Sequence, residues 1–273
     1  MKSTSRLWKL IGGTALVCLI VLLTGFGWAL RDVWYPTEGI VLPATSSQTP
    51  TPATGGDLYE KEQLRVTALG DSLTKGTGDA RGKGYVTRVV EGLSKAMDKP
   101  VSLINNLAIN GLTTEQLITK LEDSGFRNAL LQADIILLTI GGNDLFQMAQ
   151  TGGAMGEGGD LSPEIVEEQL PTVTPHLDTI FTKLREMNAT ARIIYVGLYN
   201  PFYDLEQMRP GSQSVAKWND YAYQLAETDG NATVVPSYDL FEYNIKAYLA
   251  SDHFHPNEEG YSRIAERVVQ ALN

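Results

Sequence analysis

Cysteine and histidine are scarce in this 273-residue chain, which has one cysteine, Cys18, and three histidines, His176, His253 and His255. A single cysteine excludes an intramolecular disulfide and a cysteine-based zinc site. Three histidines leave little material for a histidine-rich metal centre, so we expect no metal and no other cofactor. The glycines between residues 76 and 84 match neither the dinucleotide-binding fingerprint nor the P-loop, so they predict no phosphate site.

Positive charge is also scarce beyond the first 31 residues. The chain carries −10 at neutral pH from 32 acidic and 22 basic residues. Residues 1–31 hold four of the bases and no acid, so residues 32–273 carry −14. Because nucleic-acid binding needs a basic surface, we expect no nucleic-acid partner. An acidic body should also be repelled by anionic lipid.

The N-terminal region contains an uncharged apolar run over residues 10–30. At about 1.5 Å per residue, such a helix would span roughly the 30 Å hydrocarbon core of a bilayer. Lys2, Arg6 and Lys9 precede the run, so we predict a cytoplasmic tail over residues 1–9 and a body outside the cytoplasm. The alternative is a cleaved signal peptide, which would give a secreted protein.

Residues 31–63 have a different composition and include the stretch TSSQTPTPATGG. Proline, threonine, serine and glycine offer little to bury, so this region is predicted to be an extended linker. Residues 64–273 then form one domain, which is large enough to bury a core without disulfides.

The body alternates short apolar runs with helical patterns. The runs are Leu64–Leu69, Val101–Leu107, Asp134–Ile140, Arg192–Gly197 and Ala232–Val235. Helical periodicity lies between and after them, over Tyr85–Met97, Thr114–Glu122, Pro163–Met187, Ser214–Glu227 and Asn257–Leu272. This alternation predicts an α/β fold with a parallel five-stranded sheet covered on both faces. We interpret the glycine-rich residues 147–161 as a loop, either a lid or a surface insertion.

Polar motifs follow the predicted strands, where open α/β folds place their ligands. They are Gly70-Asp71-Ser72-Leu73, Asn110-Gly111, Gly141-Gly142-Asn143-Asp144 and, before the last helix, Asp252-x-x-His255-Pro256. Each motif alone is also ordinary turn material. Together they supply a serine, an imidazole to take its proton, a carboxylate to orient the imidazole, and amide donors for an oxyanion.

On these four blocks the sequence resembles the SGNH hydrolases, also called GDSL esterases or lipases, over residues 64–272. The resemblance implies a flavodoxin-like, three-layer α/β/α fold. It implies that Ser72 is the nucleophile, His255 the general base and Asp252 its orienting acid. The oxyanion hole would consist of the Ser72 and Gly111 N–H groups and the Asn143 side chain. The Gly-Gly-Asn-Asp form is most similar to the bacterial lysophospholipase/thioesterase-like branch.

The sequence therefore predicts a membrane-tethered serine esterase or acylhydrolase. The alternative is a catalytically idle, envelope-binding domain on the same fold. Asp252, His253 and His255 could instead ligate a metal, but the Asp-x-x-His spacing already accounts for His255. The substrate stays open between lysophospholipids, thioesters, acetylated glycans and peptidoglycan esters.

Overall fold

The structure is a computed structural model, and it describes residues 3–34, 58–150 and 163–272. The chain divides into two units, residues 1–49 and residues 50–273. The second unit contains the sheet and every predicted site residue. Most of the glycine-rich loop predicted over residues 147–161, and most of the predicted linker, lie outside the described residues.

The first unit contains helix α1, Ser3–Trp34. Its side chains are described from residue 11 to residue 27, and all of them are exposed. Among the residues that the structure describes, no helix is both long enough and apolar enough to cross a membrane. The anchor over residues 10–30 stays a prediction.

Five parallel strands form the sheet of the second unit. They are β1 Leu64–Gly70, β2 Val101–Asn106, β3 Ile135–Thr139, β4 Arg192–Val196 and β5 Ala232–Val235. Their order is β2-β1-β3-β4-β5, and every neighbouring pair is parallel. Each strand matches a predicted apolar run. A strand buried on both faces is apolar without alternation. β3 is such a strand, with all five residues buried.

Nine α-helices are described in the second unit. They are α2 Ser72–Lys75, α3 Gly84–Ala96, α4 Thr114–Lys120, α5 Ser124–Leu131, α6 Gly142–Gln150, α7 Pro163–Met187, α8 Ser212–Asp229, α9 Tyr238–Tyr248 and α10 Glu258–Leu272. A 3₁₀ helix, Glu206–Gly211, precedes α8. The sequence analysis missed α2, α5, α6 and α9. Since α6 continues to Gln150, the predicted loop begins later than residue 147.

The helices cover both faces of the sheet, which confirms the three-layer α/β/α fold. On one face, α3, α9 and α10 pack against side chains such as Val66, Leu137 and Ile194. On the other, α4, α5, α7 and α8 pack against Leu69, Leu138 and others. The sheet therefore has a separate apolar core on each side.

Residues 58–63, which the sequence assigns to the end of the linker, make polar contacts with the domain. Lys99 Nζ donates hydrogen bonds to the backbone carbonyls of Leu58, Tyr59 and Lys61, at 3.0, 2.8 and 2.9 Å. Lys61 in turn pairs with the buried carboxylate of Asp134 at 2.5 Å. Residues 58–63 thus pack onto the domain, because polar groups within it need partners that this segment supplies.

Candidate active site

The site lies at the point where the strand order of the sheet reverses. β1 has β2 on one side and β3 on the other. Loops that leave two such strands part in opposite directions and open a crevice at their carboxyl ends. Ser72 follows β1, Gly111 follows β2 and Asn143 follows β3. The topology therefore brings the first three predicted blocks to one edge of the sheet.

Ser72 is held on a tight turn between β1 and α2. Gly70 has φ +133°, and a Cβ atom at this position would lie 1.9 Å from the carbonyl oxygen of Thr139. The Asp71 N–H donates to that same oxygen at 3.1 Å. Only glycine permits this approach of β1 to β3, so the Gly-Asp-Ser order has a steric cause. Ser72 begins α2 and is 3% exposed.

Asp71 caps α2 and connects the turn to β3. Its Oδ1 accepts from the Leu73 N–H at 3.0 Å and from the Thr139 hydroxyl at 2.7 Å. Thr139 Oγ1 also lies 2.7 Å from Thr74 Oγ1, which lies 3.0 Å from the hydroxyl of Tyr85. Burial raises the pKa of Asp71 to about 7, although the bonds from Thr139 and Leu73 oppose the shift. This network fixes the turn that carries Ser72.

The structure joins Ser72, His255 and Asp252 in one hydrogen-bonded chain. His255 Nε2 lies 2.8 Å from Ser72 Oγ, and His255 Nδ1 lies 2.6 Å from Asp252 Oδ2. A carboxylate only accepts, so the proton of a neutral His255 ring resides on Nδ1. Nε2 is then the acceptor for the Ser72 hydroxyl, which is the tautomer that a general base needs.

A short turn before α10 holds the two residues of the last block. Leu249 pairs with Pro256 in an antiparallel bridge, and the Ala250 N–H donates to the His255 carbonyl at 2.8 Å. Asp252 Oδ1 accepts from the Phe254 and His255 N–H groups at 3.1 and 3.0 Å. Asp252 therefore uses one oxygen to close the turn and the other to orient the ring.

His253 contacts a different carboxylate from the one that His255 contacts. Its backbone lies in the left-handed region at φ +56°, and its Nε2 lies 3.0 Å from Asp204 Oδ1. This contact ties the turn to the loop after β4, which also donates the Tyr199 hydroxyl to the Phe254 carbonyl at 2.7 Å. Within the described residues, no group of three His, Cys, Asp or Glu side chains is arranged to hold a metal ion.

Hydrogen bonding keeps the Asp252 carboxylate ionised. Burial alone would raise its pKa, but the bonds from the His255 ring and from the two turn amides outweigh burial. The pKa of Asp252 consequently lies below its ordinary value. An ionised Asp252 stabilises the positive charge that His255 acquires when it takes up a proton.

The predicted oxyanion groups are connected by hydrogen bonds to the same edge. After β2 the chain stays paired with β1, since the Ile109 N–H donates to the Gly70 carbonyl at 2.9 Å. Gly111 follows with φ +74° and open space where a Cβ would stand. The buried side chain of Asn143 donates from Nδ2 to the Leu112 carbonyl at 2.9 Å. Gly111 and Asn143 are thus held next to each other.

Sequence reasoning missed the partners that hold these groups. Gly141 has φ +107°, and a Cβ there would lie 2.4 Å from the buried ring of Trp218. The Trp218 Nε1–H donates to the hydroxyl of Tyr195 at 2.7 Å. Thr139 also supports the turn of Ser72, through its hydrogen bond to Asp71, which is distant in sequence. No sequence signal marks Thr139 or Trp218, because their roles depend on partners far along the chain.

Aromatic side chains pack beside the turn that carries Asp252 and His255. Phe146, Phe202 and Phe254 lie within 6.5 Å of one another by ring centroids, and the Phe254 ring lies 5.1 Å from the His255 ring. All three phenylalanines are buried. They form a buried apolar cluster that reaches the His255 ring through Phe254.

The fold and this site define a carboxylic ester hydrolase. The model of the GDSL-like lipase/acylhydrolase family matches residues 68–263, and the chain belongs to this family. The chain is 36% identical to the uncharacterized protein YpmR of Bacillus subtilis over 217 residues, covering 78% of this chain and 82% of that protein.

Two further relatives carry the name of lipase. The chain is 28% identical to the spore germination lipase LipC of Bacillus licheniformis, covering 76% of this chain and 96% of LipC. The crystal structure of the lipase Lip_vut3 from a goat rumen metagenome superposes with a TM-score of 0.66 at 27% identity. That match covers 77% of this chain and 97% of Lip_vut3.

Proposed function

We propose that this hydrolase cleaves its ester through a covalent acyl-enzyme on Ser72. The observation that supports this most directly is the Asp252–His255–Ser72 chain, with contacts of 2.6 and 2.8 Å. A serine hydroxyl is a weak nucleophile, and an imidazole at hydrogen-bond distance activates it.

In the first half-reaction, Ser72 Oγ attacks the ester carbonyl carbon while its proton passes to His255 Nε2. The carbonyl oxygen becomes an oxyanion, which receives hydrogen bonds from the Ser72 and Gly111 N–H groups and from Asn143 Nδ2. The tetrahedral intermediate collapses and breaks the bond to the alcohol, which leaves with the proton from His255. Water then attacks the acyl-enzyme with His255 as base, and the carboxylic acid departs.

A fluorophosphonate probe tests this mechanism, because it forms a stable bond with an activated serine. We expect peptide mapping to place the adduct on Ser72 and labelling to vanish in Ser72→Ala. Ser237→Ala is a matched control, since Ser237 is also a buried serine after a strand and donates to the Gly197 carbonyl at 2.6 Å. Absence of labelling in the wild type would favour the idle binding domain instead.

The proposed reaction uses only groups of the chain, so chelation with EDTA should leave turnover unchanged. Activity restored by zinc or manganese after chelation would contradict this. It would revive the interpretation of Asp252, His253 and His255 as metal ligands.

We further propose acyl esters of lipid type as the first substrates to test. Both LipC and Lip_vut3 are named as lipases, and this supports the choice. A panel of p-nitrophenyl esters from acetyl to palmitoyl, with a lysophospholipid, an acyl thioester and acetylated glycans alongside, separates the candidates. A kcat/KM that rises with acyl length supports the proposal, and a maximum at acetyl would favour acetylated glycans or peptidoglycan.

The second part of the proposal is tethering to a membrane, with the hydrolase outside the cytoplasm. It is supported by the uncharged residues 10–30, by the cations before them, and by the exposed apolar side chains of α1. Exposed apolar surface of this extent is normally covered by lipid or protein. The acidic body would not dock on anionic lipid by charge, so a tether would set its local concentration.

Fractionation with protease shaving of wall-stripped cells tests the tether. Full-length protein in the membrane fraction that is clipped from outside supports the proposed orientation. A soluble product that begins near Leu30 would show a cleaved signal peptide. Protection from external protease would contradict the orientation itself.

A further inference from the structure

Two successive residues at the start of α6 form hydrogen bonds to the segment where α4 begins. Asn143 Nδ2 donates to the Leu112 carbonyl at 2.9 Å. The carboxylate of Asp144 accepts from the Thr114 N–H with both oxygens at 3.1 Å, and from the Thr114 hydroxyl with Oδ1 at 2.6 Å. Gly111 lies immediately before the bonded residues Leu112 and Thr114. The loop is therefore fixed to α6 on both sides of residue 113.

The cap of α4 leaves the Thr114 N–H for this contact. Thr113 and Gln116 form a capping box, in which each side chain bonds the backbone N–H of the other. The donors of the first turn that the box does not satisfy need another acceptor. Asp144 provides it from α6, so its carboxylate connects two elements and does more than complement the α6 dipole.

A third element joins through His176 on α7. Thr114 Oγ1 lies 3.0 Å from His176 Nδ1. Because the Thr114 hydroxyl gives its hydrogen to the Asp144 carboxylate, its oxygen accepts from the Nδ1–H of His176. Thr114 is fully buried, so removing either of its side-chain bonds leaves an unpaired group.

We propose that Asp144 and Thr114 are positioning residues for the oxyanion hole, with His176 as their support. They hold the loop so that the Gly111 N–H and the Asn143 amide face the same point. This rests on the proposed oxyanion role of Gly111 and Asn143. Neither Asp144 nor Thr114 forms a hydrogen bond to Ser72 or His255 in the described contacts, so they act through the loop.

The test compares three threonine variants with a short-chain p-nitrophenyl ester. Thr114→Val removes the hydroxyl at nearly constant shape, and Thr114→Ser keeps it. Thr67→Val is the control, since the Thr67 hydroxyl is equally buried and donates to the Ala129 carbonyl at 3.0 Å, midway along β1. We expect Thr114→Val to lower kcat by about 10–100-fold with KM within about threefold, because a displaced oxyanion donor affects the transition state.

Thr114→Ser should recover most of the lost kcat, and Thr67→Val should lower the melting temperature without lowering kcat. A kcat loss in Thr114→Val no larger than in Thr67→Val overturns the proposal. If Thr114→Val does not fold, Asp144→Asn is compared with Thr67→Val instead. It keeps the shape of the side chain and weakens the hydrogen bonds to Thr114. Ser72→Ala is measured in parallel, and wild-type turnover in that variant would overturn the serine mechanism instead.

Discussion

Asp252 uses its two carboxylate oxygens for two different contacts. Its Oδ1 closes the turn through two backbone N–H groups, and its Oδ2 fixes the proton of His255 on Nδ1. The side chain is 44% exposed, whereas that of His255 is 15% exposed. The Asp252 carboxylate is thus partly open to solvent, while its Oδ2 is directed at the His255 ring.

Replacing Asp252 with asparagine should lower kcat by about 10²–10⁴. The amide would present either a donor or a neutral acceptor to His255, which favours the wrong tautomer and removes the stabilising charge. Steady-state kinetics measure the loss. Asp239→Asn is the matched control, because Asp239 is a similarly exposed, ion-paired aspartate on α9. Equal kcat in both variants would contradict the role of Asp252.

Asp71 predicts a pH dependence of stability. The folded protein keeps the Asp71 proton up to about pH 7, whereas the unfolded chain releases it near pH 3.8. Between these values the folded state binds more protons, so the free energy of unfolding falls as pH rises. Asp71→Asn should lose this contribution. Urea unfolding from pH 4.5 to 7 should show a shallower decline in the variant, and identical slopes would contradict the shift.

The marker residues of the site could be predicted because each stands at a strand end in a recognisable block. Ser72, Gly111 and Asn143 need only the chain order and the topology to meet. The supporting contacts could not be predicted in this way. Thr139 and His176 are ordinary residues in sequence, and their partners lie more than 60 positions away.

At the scale of elements, the turn after β3 depends on one close approach. Gly141 combines φ +107° with the ring of Trp218 at the place where a Cβ would stand. This packing sets the direction in which α6 leaves the sheet, and α6 carries Asn143. A side chain at this position would be strained by its backbone and would collide with α8.

A graded series of glycine-to-alanine variants tests this argument. Gly211 has an ordinary φ and open space for a Cβ atom, and Gly82 has φ +65° and the same open space. Gly141 has φ +107° and no space for a Cβ atom. We expect free energies of unfolding lowered by about 0, 1 and at least 3 kcal/mol respectively, from the cost of left-handed backbone and of overpacking. Chemical denaturation gives the three values. A Gly141→Ala variant as stable as Gly82→Ala would contradict the packing role of Trp218.

Strands could be predicted more completely than helices, for a physical reason. A buried parallel strand such as β3 is an unbroken apolar run, and each of the five strands lies in or overlaps a predicted apolar run. α5 has only eight residues, and the dihedral angles of α9 break at Asn244, so each offers a short helical segment. Isolated helices of this length are marginal and form through packing, which a local pattern does not record.

At the scale of the whole molecule, residues 58–63 contribute contacts to the hydrolase unit whose effect on its fold can be tested. The test compares the free energy of unfolding of chains that begin at Leu58 and at Leu64. The shorter chain loses the partners of Lys99 and the Lys61–Asp134 pair, so it should be less stable by about 1–2 kcal/mol. Its kcat should be unchanged, because these contacts lie at the opposite end of β1 from Ser72. Equal stability of the two chains would support the predicted boundary at residue 63.

Ester turnover by Ser72→Ala, measured beside Ser237→Ala and the wild type, tests the central claim most directly. All three proteins should show the same far-ultraviolet circular dichroism, since Ser72 lies at a strand end and its hydroxyl bonds only His255 among the described contacts. We predict that Ser72→Ala loses about 10⁴–10⁶ in kcat and that Ser237→Ala stays within about threefold of the wild type. Turnover by folded Ser72→Ala at the wild-type rate would contradict the account.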